Sequence, residues 1–560
     1  MKPAAGRASL LGWLDHPGEG GIHAADEADA WVFSSYATLA DRVPRAARHL
    51  IEGGLQRGDV VTILVRSATD FVVAFFAVLF AGGVPSPSAP PLPLQDRSKY
   101  RDRLTGVIRA ARPRRIIADE HLLDHAREVL TDLASTATAQ ALVTTGTPLD
   151  GPMAGADLAL LQFTSGSSGD PRGIPISVAN LESHLGTLAR WLDMGPWQLG
   201  ATWLPLYHDM GLIGSCLLPT VTGMPFHSMR PDQFIRSPRR WLECHGRHGA
   251  TITAAPTFGL SYTLRRLKPG DLAGMDFSAW QSLVVGAERV DAAVLKSFTE
   301  ILAPYGFRDS TYRPAYGLAE ATLGLTGRVA GQPLPVVKVN RSAFSMGQPV
   351  EVLRHADIAS CPVDDGTAWM VSCGPPVEGA ELRVVDDSGN PLADGVLGEV
   401  EARGPSVAAR YVGGEGSQSG TRFLEGRLLT GDAGFFVDGE LYVVGRIGES
   451  IKVRGRHIYA EDLEATAAGE LQLSDQRVAA VLGLLEGRAV ARLVLAVPWA
   501  EGVAAQAVEM MQREVGDYAE VEVTFVASGA IPRTSSGKVR RRELWQLLAE
   551  GTLSVRTHRE

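Results

Sequence analysis

The stretch Leu161-Gln162-Phe163-Thr164-Ser165-Gly166-Ser167-Ser168-Gly169-Asp170-Pro171-Arg172-Gly173 carries the most explicit chemistry in the chain. Its glycines let backbone N–H groups close around an anion, and its Thr and Ser hydroxyls add donors without bulk. The pattern predicts a phosphate cradle. It is not a Walker A loop, because no Gly-Lys-Ser/Thr follows four residues after a glycine. An isolated Ser/Gly run is more often a surface linker. Here an apolar strand, Leu158 to Phe163, precedes the loop, and a helix with Leu181, Leu185, Leu188 and Leu192 on one face follows it. Three further segments set polar groups in apolar frames: Trp203 to Leu212 with His208 and Asp209, Ser282 to Glu288, and Tyr316-Gly317-Leu318-Ala319-Glu320. Loops that each follow an apolar segment can converge on one cleft at the strand ends of an α/β domain.

The elements that must position these groups alternate. A helix is expected over Tyr36 to Gly53, a strand over Asp59 to Val65 and a helix over Asp70 to Phe80. Strands are expected at Arg115–Ala118, Ala141–Thr144 and Leu158–Phe163. Such alternation predicts layered α/β architecture with a largely parallel sheet. Residues 331–370 lose periodicity and read as an irregular connector. From Ala380 the chain turns β-rich, with strands at Glu381–Val385 and Glu399–Arg403 around the turn Asp387-Ser388-Gly389-Asn390. A domain boundary is expected near Arg446-Ile447-Gly448. Beyond it, strands at Ile451–Val453, Val478–Leu482, Arg492–Val497 and Val521–Phe525 alternate with helices. The fold class is therefore α/β: a large N-terminal domain of several subdomains with mixed and parallel sheets (1–446), and a small α+β domain (447–560) ending in a cationic loop.

At 560 residues the chain exceeds one ordinary core, and its composition, 45% hydrophobic and 21% charged, is globular. A net charge of -9 gives no general attraction to nucleic acid or to an anionic membrane. The cysteines Cys216, Cys244, Cys361 and Cys373 show no metal-ligand spacing and are expected to be reduced thiols. The apolar run Phe71 to Ala81 is too short to span a bilayer and reads as buried helix. No signal-peptide layout opens the chain, so a soluble, cytoplasmic protein is expected.

The order of motifs is more specific than any one of them. Thr-Ser-Gly-Ser-Ser-Gly (164–169), Tyr-Gly-Leu-Ala-Glu (316–320), Thr-Gly-Asp (430–432), Gly-Arg-x5-Lys-x-x-Gly (445–455) and Pro-Arg-Thr-x-Ser-Gly-Lys (532–538) follow one another. In this the chain resembles, over essentially its whole length, the adenylate-forming superfamily of acyl-CoA synthetases, adenylation domains and luciferases. Within it the chain is most similar to the fatty acyl-AMP ligases. The segments carrying that likeness are Pro205 to Leu212, Tyr316 to Leu323, Val371-Ser372-Cys373-Gly374 and Gly404 to Ala408. An extra segment at about 333–370 sits where that family carries an insertion thought to hinder the movement needed for CoA use.

The resemblance implies that a carboxylic acid and ATP give acyl-AMP and pyrophosphate, with Mg²⁺ as cofactor, and that a thiol then takes the acyl group. Thr164, Ser165, Gly166, Ser167, Ser168 and Gly169 would hold the β- and γ-phosphates, with Arg172 where many relatives have Lys. Glu320 would assist Mg²⁺. Tyr316, with Gly317 and Leu318 beside it, would stack on adenine, and Gly286, Ala287 and Glu288 would line the base edge. Asp432 would accept from the ribose hydroxyls, supported by Arg446. His208 would sit beside the reacting carboxylate and α-phosphate. Lys538 would bridge the oxygens of the adenylation transition state. Many relatives carry an Asp or Lys hinge two residues after the Gly-Arg arginine; here that position is Gly448, where glycine leaves rotation open.

The expected acceptor is the phosphopantetheine arm of an acyl carrier protein in trans, from a polyketide, nonribosomal peptide or lipid pathway. Arg540, Arg541 and Arg542 would either meet its acidic helix or form a solvated face. The alternative is an acyl- or aryl-CoA ligase of the same superfamily. A degenerate nucleotide-binding protein is disfavoured by the presence of both Glu320 and Lys538, and a serine hydrolase by the lack of a Gly-x-Ser-x-Gly elbow. Apolar residues from Met210 to Leu218 and Met224 to Phe226 can line an acyl tunnel, though most are expected to be core.

Overall fold

A computed structural model describes residues 9–91, 97–133, 135–164, 171–340, 343–362, 369–412, 420–453, 456–485, 488–516, 519–533, 537–553 and 556–559. The phosphate-loop residues Ser165 to Asp170, the loop residues Thr534 to Ser536 and parts of the 333–370 segment lie outside them.

Two sheets supply the α/β layering. The larger has the strand order Tyr312–Pro314, Ser282–Val285, Ile252–Ala255, Gly200–Thr202, Phe226–Ser228, Gly21–Ala25 and Trp31–Ser35. Every pairing in it is parallel except the terminal hairpin of Gly21–Ala25 with Trp31–Ser35. The second is wholly parallel, in the order Val84–Pro87, Val60–Leu64, Arg115–Ala118 and Thr138–Gln140. The helix Tyr36–Glu52 starts where the Ser35 side chain accepts from the Thr38 amide and stops at Gly53. The helix Ala68–Phe80 buries every residue except Thr69 and Asp70, as its unbroken apolar run predicts. Among the described residues no helix is long and apolar enough to cross a membrane.

Three expectations are corrected. The strand placed at Ala141–Thr144 is at Thr138–Gln140 instead, paired to Arg115–Ile117. The segment 331–370 is not simply irregular. Pro335–Val339 pairs antiparallel with both Val352–Asp357 and Trp369–Val371, and its proline opens the strand, where the missing N–H is tolerated. The phosphate loop does not run straight from strand to helix either. Arg172–Ser177 pairs antiparallel with Leu158–Thr164, so the loop closes a hairpin. Pro175 obscured that second strand, yet the flanking Ile174 and Ile176 are fully buried. The helix Val178–Trp191 begins only afterwards, with a capping box between Ser177 and Asn180.

The β-rich region forms an antiparallel sheet of Glu381–Val385, Gly398–Arg403, Arg427–Val437, Arg422–Leu424 and Glu440–Arg446. Beyond Arg446 a short hairpin, Ser450–Val453 with Arg456–Tyr459, leads to a mixed sheet of Val478–Leu485, Arg488–Leu495, Glu520–Phe525 and Arg556–Arg559. Its own apolar core includes Leu463, Leu493, Met511, Val523 and Phe525. These elements are the α+β unit expected there.

Candidate functional site

The parallel strands of the large sheet end on one side of a cavity of about 810 Å³. His208 follows the strand Gly200–Thr202, Phe258 follows Ile252–Ala255, Gly286 to Glu288 follow Ser282–Val285, and Tyr316 to Glu320 follow Tyr312–Pro314. All of them line the cavity, with Thr164 and Arg172 of the hairpin, Asp432 and Arg446 of the antiparallel sheet, and Lys538 of the small domain. Crevices at the carboxyl ends of parallel strands are where open α/β sheets hold ligands. The site residues expected from sequence are thus brought together, apart from Ser165, Gly166, Ser167, Ser168 and Gly169, which lie outside the described residues.

Backbone packing leaves little choice of residue here. A Cβ on Gly317 would fall 1.9 Å from the Leu323 carbonyl oxygen, and one on Gly286 2.8 Å from that of Ala315. Ala287 has φ +68°, a left-handed conformation held at the cavity edge.

Asp432 is the best-anchored acid. Its Oδ2 accepts from the Tyr316 hydroxyl at 2.6 Å, and its Oδ1 lies 2.9 Å from Arg446 Nε. Arg446 also donates to the Thr421 hydroxyl and the Thr430 carbonyl. Burial and the neighbouring Asp432 push the Tyr316 hydroxyl far above its ordinary value, so it stays a donor. Tyr316 therefore presents its ring at a fixed orientation.

Glu320 is buried, and its Oε1 accepts from the Tyr411 hydroxyl at 2.5 Å. The Arg172 guanidinium lies over the Tyr411 ring, 5.3 Å from its centre. Arg172, Tyr411 and Glu320 form one chain from the hairpin to the acid. A single carboxylate of this kind suits Mg²⁺, which takes one or two carboxylates and completes its shell with phosphate oxygens and water. Among the described residues no cluster of three or more His, Cys, Asp or Glu side chains is arranged to hold a metal by itself.

His208 and Asp209 form a pair, with Nδ1 2.7 Å from Asp209 Oδ1. Burial alone would raise Asp209, but His208, the Met210 amide and the Lys538 charge together hold it below the ordinary carboxylate range. Glu288 behaves oppositely. Burial raises it to about 7, against the lowering influence of the Phe258 amide, which it accepts from at 2.6 Å, and of Lys538.

Three contributors carry no assigned role in the sequence reading. Gln162, the one polar residue in the apolar strand, donates to the Tyr207 carbonyl at 2.9 Å and ties the hairpin to the His208 segment. Tyr411 lies just past the Gly404–Ala408 block, with no local pattern to mark it. Asp209 was visible in the motif, and only the geometry shows that it orients His208. The cationic run resolves against a docking surface at Arg541, which is paired with Glu449 and with Glu464.

Part of the cavity wall is apolar. Leu188, Trp191, Met210, Gly214, Met224 and Phe226 line it, with the Ser215 hydroxyl among them. Leu212, Ile213, Cys216, Leu217 and Leu218 are core, as expected of most of that segment. Met210–Leu217 is π-helical, with more residues per turn than an α-helix, and its side chains divide between cavity and core.

Residues 22–412 match the AMP-binding enzyme family. The chain is 32% identical over 548 residues to a Caulobacter vibrioides protein named provisionally as an acyl-CoA synthetase, covering 92% of this chain and 90% of that one. It is 29% identical over 557 residues to the medium-chain-fatty-acid–[acyl-carrier-protein] ligase JamA of Moorena producens, covering 93% and 90%. A solved structure from studies of fatty acyl-adenylate ligases of E. coli and L. pneumophila superposes with a TM-score of 0.86 at 28% identity, covering 98% of this chain and 99% of that one.

Proposed function

The chain belongs to the AMP-binding enzyme family and has the adenylate-forming fold, and from that premise we propose that it is a fatty acyl-AMP ligase serving a carrier protein. The observation that carries the reading is the meeting of Lys538, from the small domain, with His208, Glu320 and Asp432, from the large one, around a single cavity with a partly apolar wall.

In this reading a carboxylate oxygen attacks the α-phosphorus of ATP. The bond from that phosphorus to the bridging oxygen breaks, and pyrophosphate leaves with the electron pair. Two anions must meet, so neutralisation and alignment dominate the barrier. Lys538 supplies the positive charge between carboxylate and α-phosphate. Asp432 holds the ribose hydroxyls, and Tyr316, fixed by Asp432, offers its ring to the adenine. Thr164 and Arg172 line the cavity, and with the sequence between them would hold the β- and γ-phosphates. His208, oriented by Asp209, borders the acid's carboxylate, and the apolar wall at Met210 takes its alkyl chain. Mg²⁺ held at Glu320 would neutralise phosphate charge.

Thiol transfer then requires the small domain to rotate, because Lys538 occupies the cavity in the present pose. Arg446 is anchored to the large domain through Asp432, and Glu449 to the small domain through Arg541. Only Ile447 and Gly448 lie between the two anchors, and a Cβ on Gly448 would meet nothing within 4 Å. We place the pivot there, and the domain division at 446/447.

The name of the Moorena relative supports a carrier protein as acceptor, and that of the Caulobacter relative supports CoA. Competition decides: enzyme, ATP and a fatty acid are offered equimolar CoA and a phosphopantetheinylated carrier protein. Acyl-carrier as the main product upholds the reading. Acyl-CoA as the main product replaces it with the CoA-ligase alternative.

A further inference from the structure

Two contacts join the domains beside Lys538, at the cavity's edge and between residues that carry no role toward nucleotide or acid in the reading above. On the large domain, Glu288 accepts from the Phe258 amide, and the Thr257 hydroxyl donates to the Arg289 carbonyl at 3.2 Å. Phe258 lies in the first turn of the helix Thr257–Arg266, where amides have no intrahelical partner, so Glu288 caps that helix from outside. The Phe258 ring is backed edge-on by Trp203. Arg289 and Phe258 thus form one platform.

On the small domain, Arg533 donates to the carbonyls of Gly537, Asp475 and Val478, which fastens the lysine loop to the domain body. Asp462 and Glu464 sit on the helix Ala460–Glu470, and Arg541 grips Glu464. Asp462 and Lys538 therefore move together. The two bodies share several contacts, Tyr459 against Tyr442 and Val444 among them, and beside Lys538 they meet where Arg289 forms an ion pair with Asp462 and where Gly537 lies on the Phe258 ring. A Cβ at Gly537 would reach 3.3 Å from that ring, and Gly537 has φ +86°, so glycine suits both the turn and the approach.

We infer that Arg289–Asp462 and Phe258–Gly537 form a clasp that holds the small domain in the adenylating pose and so positions Lys538. The inference rests on the two-step reading above. The clasp exists in one pose only and must open before thiol transfer. Its loss therefore slows the first half-reaction and spares the second, an asymmetry that a general structural defect lacks.

The test measures the half-reactions separately, together with a pose readout that needs no substrate. All four native cysteines are buried, so dyes on Glu300→Cys and Glu501→Cys, both exposed positions, report domain separation by energy transfer. Arg289→Ala is expected to slow acyl-adenylate formation on the order of tenfold, as suits a partly shielded ion pair. It should leave the KM for the acid and the consumption of supplied acyl-adenylate unchanged, and lower energy transfer. The swap Arg289→Glu with Asp462→Arg should restore both, and Phe258→Ala should reproduce the single-variant defect. Equal slowing of both half-reactions, or energy transfer unchanged in Arg289→Ala, overturns the clasp. A wild-type protein that forms no acyl-adenylate overturns the ligase reading instead, and the energy-transfer result still decides on the clasp.

Discussion

Replacing Asp432 with Asn removes a charge and almost no volume, which makes it a clean probe of the proposed ribose site. In the native protein one oxygen of Asp432 accepts from Tyr316 and the other faces Arg446. The amide oxygen of Asn would stay toward Arg446, and its NH₂ would turn to Tyr316, whose hydroxyl can reverse and accept. Arg446 keeps the Thr421 and Thr430 acceptors, and its side chain is 39% exposed. The stability cost is therefore small, about 1 kcal/mol. The binding cost is larger. Two charge-assisted hydrogen bonds to the ribose become neutral ones at about 1 kcal/mol each, roughly 2 kcal/mol together, or about 30-fold in kcat/KM for ATP. Acid-dependent pyrophosphate release measured against ATP concentration reads this directly, with the KM for the acid unchanged. Tyr316→Phe, which removes one donor and keeps the ring, should cost only a few-fold. An Asp432→Asn enzyme whose kcat/KM for ATP stays within threefold of wild type would refute the ribose assignment.

Lys538→Ala should cut acyl-adenylate formation by about 10²–10³, the scale for losing one charge-stabilising donor, while the melting temperature holds because the lysine is exposed in the cavity; retained turnover would contradict its role. Gly214→Leu, which puts a side chain into the cavity at its apolar wall, should shift preference toward shorter acids in a chain-length series, and an unchanged profile would remove that wall from the acyl site. The pose should also depend on pH. Glu288 and Glu461 are both raised by burial from 4.5 to about 7, Glu288 facing Lys538, Asp475 and Glu461, and Glu461 facing Arg541, Glu449, Glu464 and Arg289. Below 4.5 both poses hold the protons. An opening that returns either acid to solvent restores its ordinary value, so between 4.5 and 7 the closed pose alone then holds the proton, and closure weakens as pH rises through that window and is flat above it. Energy transfer between the domains should follow that course, and Glu288→Gln with Glu461→Gln should remove the slope; an unaltered slope would exclude these acids.

The layered α/β fold was legible in the sequence because apolar periodicity is local. The helix at Tyr36–Glu52 and the strands at Arg115–Ala118 and Glu381–Val385 emerge almost to the residue. What stayed hidden depends on pairing across distance. The strand Arg172–Ser177 contains a proline and becomes evident only beside Leu158–Thr164. Pro335–Val339 needed two partners before it could be seen as a sheet. The groups around the cavity were legible as motifs. The side chains that orient them were not, since Gln162, Tyr411 and Phe258 act through contacts with residues far away in the chain and carry no spacing signal. The Arg540–Arg542 run shows the reverse error. Consecutive charges suggest a surface, yet Arg541 faces inward to Glu449 and Glu464.

The proposed joining of a fatty acid to AMP is open to a direct check by mass spectrometry of the reaction products. Purified protein would receive ATP, Mg²⁺ and a panel of carboxylic acids of graded chain length, with no thiol present. A mass corresponding to acyl-AMP, pyrophosphate in equal amount, and a preference among alkyl acids that follows chain length are expected. No adenylate with any acid, from a folded protein, would contradict the proposal.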